Sequence, residues 1–342
     1  PVLGVYGVSF MVVFSASALI ATAMASSPRG RVFGGACVVL PWLVGVMLSF
    51  VAWTEPTGSP MRVSIVQAGV SQDKKWDRDH LLPIMQYYQG ATMSVADSDI
   101  VLWPEVAIPA LNDQVEPFIA RVEAGARRNG QTVLLGILER SFERNVDGHI
   151  HNSVLLLGTA ERQAYRKRHL VPFGEYFPVP PSVRQWMKMQ NLPHSDLVPG
   201  DDVQPLLVAA NGTRFGVAIC YEDAYGAEQL YALPEAGMLI NVSNDGWFGD
   251  SIAPHQHLEI ARMRSLEFGR PAVRSTKTGI SAIIGADGGL LEVGEQHKAE
   301  LMTRDIRAWR GATPYVTFGN WPIIWLSVVI IAAFWIRNRA RL

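Results

Sequence analysis

Cys220 closes a short apolar run, Phe215-Gly216-Val217-Ala218-Ile219, and is followed at once by Tyr221, Glu222 and Asp223. A run of this length, built from small and β-branched residues, suits a strand covered on both faces. A thiol at the end of such a strand can project into a pocket, although the commoner reading of a lone cysteine is a buried structural thiol. Three other segments carry reactive groups beside a strand end. Asp99-Ile100-Val101-Leu102-Trp103 runs into Pro104 and Glu105. Proline cannot continue a central strand, so the carboxylate stands at its mouth. Tyr165-Arg166-Lys167-Arg168-His169 leads into Leu170-Val171-Pro172-Phe173-Gly174-Glu175, a basic cluster followed by a turn. Asn241-Val242-Ser243 enters a polar, glycine-rich loop, Asn244-Asp245-Gly246-Trp247-Phe248-Gly249-Asp250. Taken singly, each reads equally well as a solvated loop. Taken together they offer a thiol, a carboxylate and an ammonium group. Thiol catalysis needs a base for the proton and a cation or donor for the developing oxyanion. Glu105, Lys167 and Cys220 meet both needs without a histidine. His149/His151 and His255/His257 are i, i+2 pairs with no third ligand at fitting spacing, so neither a metal nor a cofactor is expected.

The elements that must position these groups alternate in kind. Strands are expected at Arg62–Ala68, Asp99–Trp103, Thr132–Leu138, Ser153–Leu157, Phe215–Ile219, Met238–Val242, Ala272–Ser275 and Ser281–Ile284, with a hairpin turn at Ala286-Asp287-Gly288-Gly289. Helices are expected at Asp113–Asn129 and at His255–Phe268, the second stopping at Gly269 with Pro271 just beyond. Strands alternating with helices predict an α/β layered fold. Pro172 to Pro199 is rich in proline and apolar residues, and Val183, Trp186, Met187 and Gln190 share one helical face beside Arg184 and Lys188. This stretch reads either as an ordinary covering loop or as a lid that dips into a membrane interface.

The chain has 342 residues, 30 Lys plus Arg and 31 Asp plus Glu, so no charge excess points to nucleic acid. Hydrophobic residues make up 49% and charged ones 18%, a balance that predicts membrane contact. Two apolar runs, Pro1 to Ala25 and Val32 to Trp53, and a third, Trp321 to Ile336, are each long enough to cross a hydrocarbon layer of about 30 Å. Tyr315, Phe318, Trp321 and Trp335 flank the third as interfacial anchors. Arg29 and Arg31 lie in the turn between the first two runs, and Arg337, Arg339 and Arg341 follow the third. The positive-inside rule puts both clusters in the cytoplasm and the block between them on the opposite face. Two cysteines, Cys37 and Cys220, one of them in an apolar run, build no disulfide framework. The expected organisation is two membrane helices in 1–53, a linker at 54–60, a catalytic domain at 61–312, and a final membrane helix with its tail at 313–342.

Trp-Pro-Glu105, Lys167 within Tyr-Arg-Lys-Arg-His-Leu-Val-Pro-Phe-Gly-Glu175, Ile-Cys220-Tyr-Glu222 and Asn-Asp-Gly-Trp-Phe-Gly resemble the motifs of the nitrilase (carbon-nitrogen hydrolase) superfamily with its Glu-Lys-Cys triad. The His-Leu-Val-Pro-Phe-Gly-Glu-Tyr form, the Gln-His-Leu-Glu-Ile-Ala-Arg-Met-Arg-Ser-Leu-Glu helix and the membrane runs narrow the resemblance to the apolipoprotein N-acyltransferase family. The resemblance covers nearly the whole chain. It implies a nitrilase-like αββα sandwich flanked by transmembrane helices, with the first two helices closing a longer N-terminal membrane bundle. Glu105 is then the general base, Cys220 the nucleophile that becomes a thioacyl-enzyme, and Lys167 the oxyanion stabiliser. Glu175 supports Lys167 or the proton traffic, and Tyr221 and Glu222 shape the pocket. Trp247, Trp186 and Met187 are the expected substrate contacts. The implied partners are a phospholipid acyl donor and a diacylglyceryl-modified lipoprotein acceptor, handled by a monomer in the bacterial inner membrane with its catalytic domain on the periplasmic face. At two positions the chain departs from the family's common pattern, with Gly246 in place of Ala and Lys277 in place of Asn. The lysine adds a charge close to the expected site.

Two other readings stay open at this level. A membrane-tethered amidase acting on a small amide uses the same triad with water as acceptor. A non-catalytic membrane module keeps the fold as an interaction surface. The complete set Glu105, Lys167 and Cys220 argues against the module, and the apolar lid and membrane runs argue against the amidase.

Overall fold

The computed structural model describes residues 1–70, 78–141, 148–189, 197–247 and 249–339. The chain divides into two units. One comprises Pro1–Glu55, Glu267–Gly269 and Gly311–Leu342, the other Pro56–Leu266 and Arg270–Arg310.

In the first unit, α1 (Gly4–Met24) and α2 (Pro28–Ser49) form a hairpin. The hairpin turns where Ser27 caps α2, its hydroxyl accepting from the Gly30 amide at 3.1 Å with Pro28 in the first helical turn. Trp42 Nε1 donates across the hairpin to Ser15 Oγ at 2.8 Å. These two helices and the helix Trp321–Arg339 are long and apolar enough to cross a membrane, and few of their residues are buried within the protein.

The second unit is a two-sheet sandwich. In chain order it comprises β1 (Thr54–Gln67), α3 (Arg78–Ser94), β2 (Ile100–Leu102), α4 (Glu116–Asn129), β3 (Thr132–Ser141), β4 (His149–Leu157), β5 (Gln163–Arg166) and α5 (Pro181–Met189). It continues with β6 (Leu207–Val208), β7 (Arg214–Ile219), α6 (Gly226–Gln229), β8 (Met238–Ser243), α7 (Ala253–Phe268), β9 (Ala272–Thr276), β10 (Ala282–Ile284), β11 (Leu290–Val293) and β12 (Glu300–Gly311). Helices α8 (Pro314–Phe318) and α9 (Trp321–Arg339) follow in the first unit. The sheet orders are β12-β1-β2-β3-β4-β5 and β11-β10-β9-β8-β7-β6. The central pairings β1–β2–β3 and β7–β8–β9 are parallel, and β3–β4, β4–β5, β6–β7, β9–β10 and β10–β11 are antiparallel.

Side-chain alternation explains the layers. Ile100 and Leu102 of β2 turn inward to join Val63, Ile65, Leu134 and Leu156, and meet Phe215, Val217, Ile219, Ile240 and Val273 of the other sheet. Val101 and Trp103 turn outward and pack under Ile84 and Tyr88 of α3 and Phe118, Ile119 and Val122 of α4. The result is the αββα arrangement expected from the sequence.

The expected strands are all present within a few residues, and both expected helices form, the first preceded by a 3₁₀ turn at Asn112–Val115. Four strands, β5, β6, β11 and β12, have no counterpart in the sequence reading. Residues 54–60, read as a linker from Pro56, Gly58 and Pro60, are the first half of β1. That half precedes the register with β2, which begins at Val63, so its prolines withhold no amide from that pairing. β12 escaped notice because it is an edge strand whose charged residues face solvent in a pattern without strict alternation.

Candidate active site

Two parallel strands from opposite sheets deliver the reactive groups at their carboxyl ends, where ligands of α/β sheets bind. β2 ends at Leu102, and Trp103-Pro104 then brings in Glu105. The loop lies hard against β3, because a Cβ on Gly136 would collide with Pro104 and Glu105 backbone, so only glycine permits this approach. Ala107 N donates to Gly136 O at 2.8 Å and fixes the turn. Val106 adopts φ 44°, a conformation that a β-branched residue takes only under compulsion. β7 ends at Ile219, and Cys220 itself opens a 3₁₀ turn at φ 53°. Both reactive strand ends are thus turned by a left-handed residue.

Glu105, Lys167, Glu175 and Cys220 line one cavity of about 720 Å³. Its other walls are mainly apolar, including Val171, Pro172, Phe173, Tyr221, Trp247 and Ile260. Lys167 is fully buried, its Nζ 3.7 Å from Glu105 Oε1 and 2.8 Å from Glu175 Oε2. Asn152 of β4 bridges the two acids, its Nδ2 donating to Glu105 Oε1 at 2.7 Å and to Glu175 Oε1 at 2.9 Å. Glu175 also accepts from Val171 N at 2.8 Å. Burial favours a neutral lysine, but Glu105, the Cys220 thiol and Glu175 outweigh it and hold the ammonium above its ordinary value. One lysine cation therefore faces two carboxyl groups. Glu105 Oε2 is buried and has no hydrogen-bond partner among the described residues, so it can accept a proton.

The Cys220 thiol is pushed up to about 12, first by burial and then by the Glu105 carboxylate, with Lys167 and a Ser243 hydrogen bond acting in the opposite sense. At neutral pH the sulfur rests as a thiol. Such a thiol can attack as a nucleophile only if a base removes its proton, and Glu105 is the carboxylate that its titration feels most.

Glu222, buried under the nucleophile turn, ties it down. Its Oε2 accepts from Ile219 N at 2.7 Å, and its Oε1 accepts from Arg168 N at 2.7 Å and His169 N at 3.1 Å. Tyr165 Oη donates to the same carboxyl group. Burial raises this acid, with those backbone amides opposing the shift. Glu222 thereby joins the lysine turn to the cysteine turn.

Trp247 lines the cavity mouth with 72% of its surface exposed. Trp186 is exposed on α5 and is not among the lining residues. The Met187 side chain and residues 190–196 of the expected lid lie outside the described residues, as does Phe248 of the Trp247 loop.

Several residues escaped the sequence reading. Asn152 sits mid-strand in a run that reads as ordinary. Behind Cys220, Asp245 Oδ2 accepts from Arg274 Nη2 at 2.9 Å, and its Oδ1 accepts from Ser243 Oγ at 2.9 Å. Arg274 also pairs with Asn241. The signal was Arg274 itself, a cation inside the buried strand β9, which requires a buried partner.

Residues 62–315 match the carbon-nitrogen hydrolase family. An apolipoprotein N-acyltransferase from Methylococcus capsulatus is 41% identical over 342 residues, covering 99% of this chain and 66% of that protein. Another from Nitrosomonas europaea is 39% identical over 322 residues, covering 94% of this chain and 63% of that protein. The chain thus spans just under two thirds of the length of these curated relatives. Among solved structures, a mutant amidase of the nitrilase superfamily from Nesterenkonia superposes with a TM-score of 0.54 at 18% identity, covering 74% of this chain and 92% of that one. At that identity the likeness speaks for the fold alone. The chain therefore belongs to the carbon-nitrogen hydrolase family, among the apolipoprotein N-acyltransferases.

Proposed function

We propose that this protein moves a fatty acyl chain from a phospholipid, through a thioester on Cys220, to the N-terminal amine of a diacylglyceryl-cysteine on an apolipoprotein. The observation that carries the reading is the shared cavity: a thiol, a partnerless carboxylate oxygen and a buried ammonium in one apolar pocket of about 720 Å³. A volume in the range of ligand sites, walled by apolar groups, suits an acyl chain better than a small polar amide.

The steps balance on these residues. Glu105 takes the thiol proton as Cys220 Sγ attacks the acyl ester carbonyl, and the Lys167 ammonium holds the tetrahedral oxyanion. The intermediate collapses, Glu105 returns the proton to the departing oxygen, and the lysophospholipid leaves. The α-amine of the lipoprotein cysteine then attacks the thioester, gives its proton to Glu105, and forms an amide as the thiol is expelled and reprotonated. Two easier displacements replace one hard one. Glu175 and Asn152 keep Lys167 and Glu105 in register, and Tyr221, Trp247, Trp186 and Met187 receive the lipid. The protein works as a monomer in the bacterial inner membrane. The positive-inside rule applied to its arginine clusters supports a catalytic unit on the periplasmic face.

The test is mass spectrometry of a lipoprotein N-terminus in cells depleted of this protein and rescued with wild type or Cys220→Ser. Triacylation should return with wild type only. Full triacylation with the serine variant would defeat the thioester, and no change on depletion would favour hydrolysis of a small amide, the reaction suited to the amidase fold neighbour.

A further inference from the structure

The backbone of the nucleophile is gripped on both sides. Before it, Glu222 holds the Ile219 amide at 2.7 Å. After it, the Cys220 carbonyl oxygen lies 3.1 Å from His257 Nε2. A carbonyl can only accept, so Nε2 carries the proton and donates. The other ring nitrogen, Nδ1, lies 2.9 Å from Asp245 Oδ1. Asp245 is ionised: burial favours the neutral acid, but Arg274, His257 and Ser243 outweigh it and hold the carboxyl at about 2. The ring thus bridges a buried carboxylate to the nucleophile's own carbonyl. The bridge is anchored in the sheet, since Asp245 is held in turn by Arg274 of β9 and Ser243 of β8. His257 projects from α7 and lines the cavity.

We infer that His257 is a positioning residue for the nucleophile: by fixing the Cys220 carbonyl it holds the left-handed turn and aims Sγ at the acyl carbon. Cysteine at φ 53° persists only where its surroundings over-determine it. Glu222 fixes the Ile219 amide upstream of the turn and His257 the peptide that follows Cys220. The consequence for turnover rests on the proposed thioester chemistry, but the grip on the thiol does not.

Two isosteric substitutions separate the bonds. His257→Gln can place its amide nitrogen where Nε2 was, keeping the bond to the Cys220 carbonyl and losing Asp245. His257→Asn can place its amide nitrogen where Nδ1 was, keeping Asp245 and losing Cys220. In the full-length enzyme in detergent, the measurements are the rate of Cys220 alkylation by iodoacetamide, read by peptide mass spectrometry to exclude Cys37, and the kcat and KM of acyl transfer. A misaimed nucleophile should lower alkylation and kcat about 10- to 100-fold in His257→Asn with KM nearly unchanged, and His257→Gln should recover most of both. Wild-type alkylation in both variants, or better recovery with Asn than with Gln, would overturn the inference. If His257→Asn does not fold, a folded His257→Gln no faster than His257→Leu overturns it equally. Normal alkylation of the wild type with no acyl transfer would instead sink the proposed function and leave His257's role standing.

Discussion

The two sheets each bring one strand end to the cavity, and they equip it differently. At the end of β2 the groups in front are charged and exchangeable: Glu105 and Glu175 share the Lys167 ammonium and the Asn152 amide. At the end of β7 the group in front is a neutral thiol, and a hydrogen-bonded chain, Arg274, Asp245 and His257, reaches its backbone carbonyl. In the proposed mechanism the first sheet supplies proton transfer and charge stabilisation, while the second supplies aim. Each arrangement offsets the cost of burying charge by pairing it, and in the first Glu105 Oε2 keeps an acceptor open among the described residues.

The largest test of that contrast is in turnover. Cys220→Ala, Glu105→Gln and Lys167→Met should each lower kcat for acyl transfer by at least about 10³-fold, and the double variant Glu105→Gln/Lys167→Met should be little worse than either single one, because groups acting as a unit are not additive. Steady-state kinetics with a phospholipid donor and a diacylated peptide acceptor reads this. A Lys167→Met enzyme within tenfold of wild type would mean that the first sheet does not stabilise the oxyanion.

The next effect is in stability and belongs to the second sheet. Arg274→Met leaves the Asp245 carboxylate buried without its main cation, and breaking such a pair costs about 3–5 kcal/mol. Arg62 on the first sheet pairs with Asp97 at 3.2 Å with both side chains at least half exposed, so Arg62→Met should cost about 1 kcal/mol or less. Thermal unfolding of the two variants side by side measures the difference. Equal losses would remove the distinction between a structural network and a solvated one.

This contrast also sets what the sequence makes legible. Glu105, Lys167 and Cys220 stand at strand ends beside proline, glycine or acidic residues, and such breaks in apolar periodicity can be read from one chain. The αββα layering is equally legible, because β2, β3, β7 and β8 are continuous apolar runs. Asn152 and His257 are invisible by the same logic: each lies inside a regular element, and its role depends on what the opposite strand or the next loop brings near. Arg274 was readable as a charge out of place but not as a partner of Asp245, which lies 29 residues away. β12 and the first half of β1 were lost because charge and proline there describe a sheet's edge rather than a loop.

A smaller effect follows from acid. Asp245 has a folded value of about 2 against an ordinary 3.8. A depressed carboxyl stabilises the fold above its unfolded value and loses that contribution as pH falls through its folded one. The window is therefore about pH 4 down to pH 2, and the contribution is about 2 kcal/mol. Asp245→Asn should be less stable than wild type at neutral pH and should converge on it across that window. Parallel acid profiles for the two proteins would show that Asp245 does not carry this dependence.

The smallest expected effect separates the cavity from the helix outside it. Trp247 borders the pocket, whereas Trp186 lies 52% exposed on α5 beside Val183 and Met189, also exposed. A helix that shows tryptophan, valine and methionine to water gains by laying that face on lipid, and seating one aromatic side chain contributes about 1.5–3 kcal/mol at most. Trp186→Ser should therefore raise the apparent KM for donor presented in vesicles by several-fold and leave turnover of a short-chain, water-soluble acyl ester unchanged. Trp247→Ser should impair both substrates, because Trp247 lines the cavity proposed to hold the acyl chain. If Trp186→Ser slows the soluble ester as much as the vesicle-bound donor, α5 acts on the cavity and not on the membrane, and the lid reading of 172–199 fails.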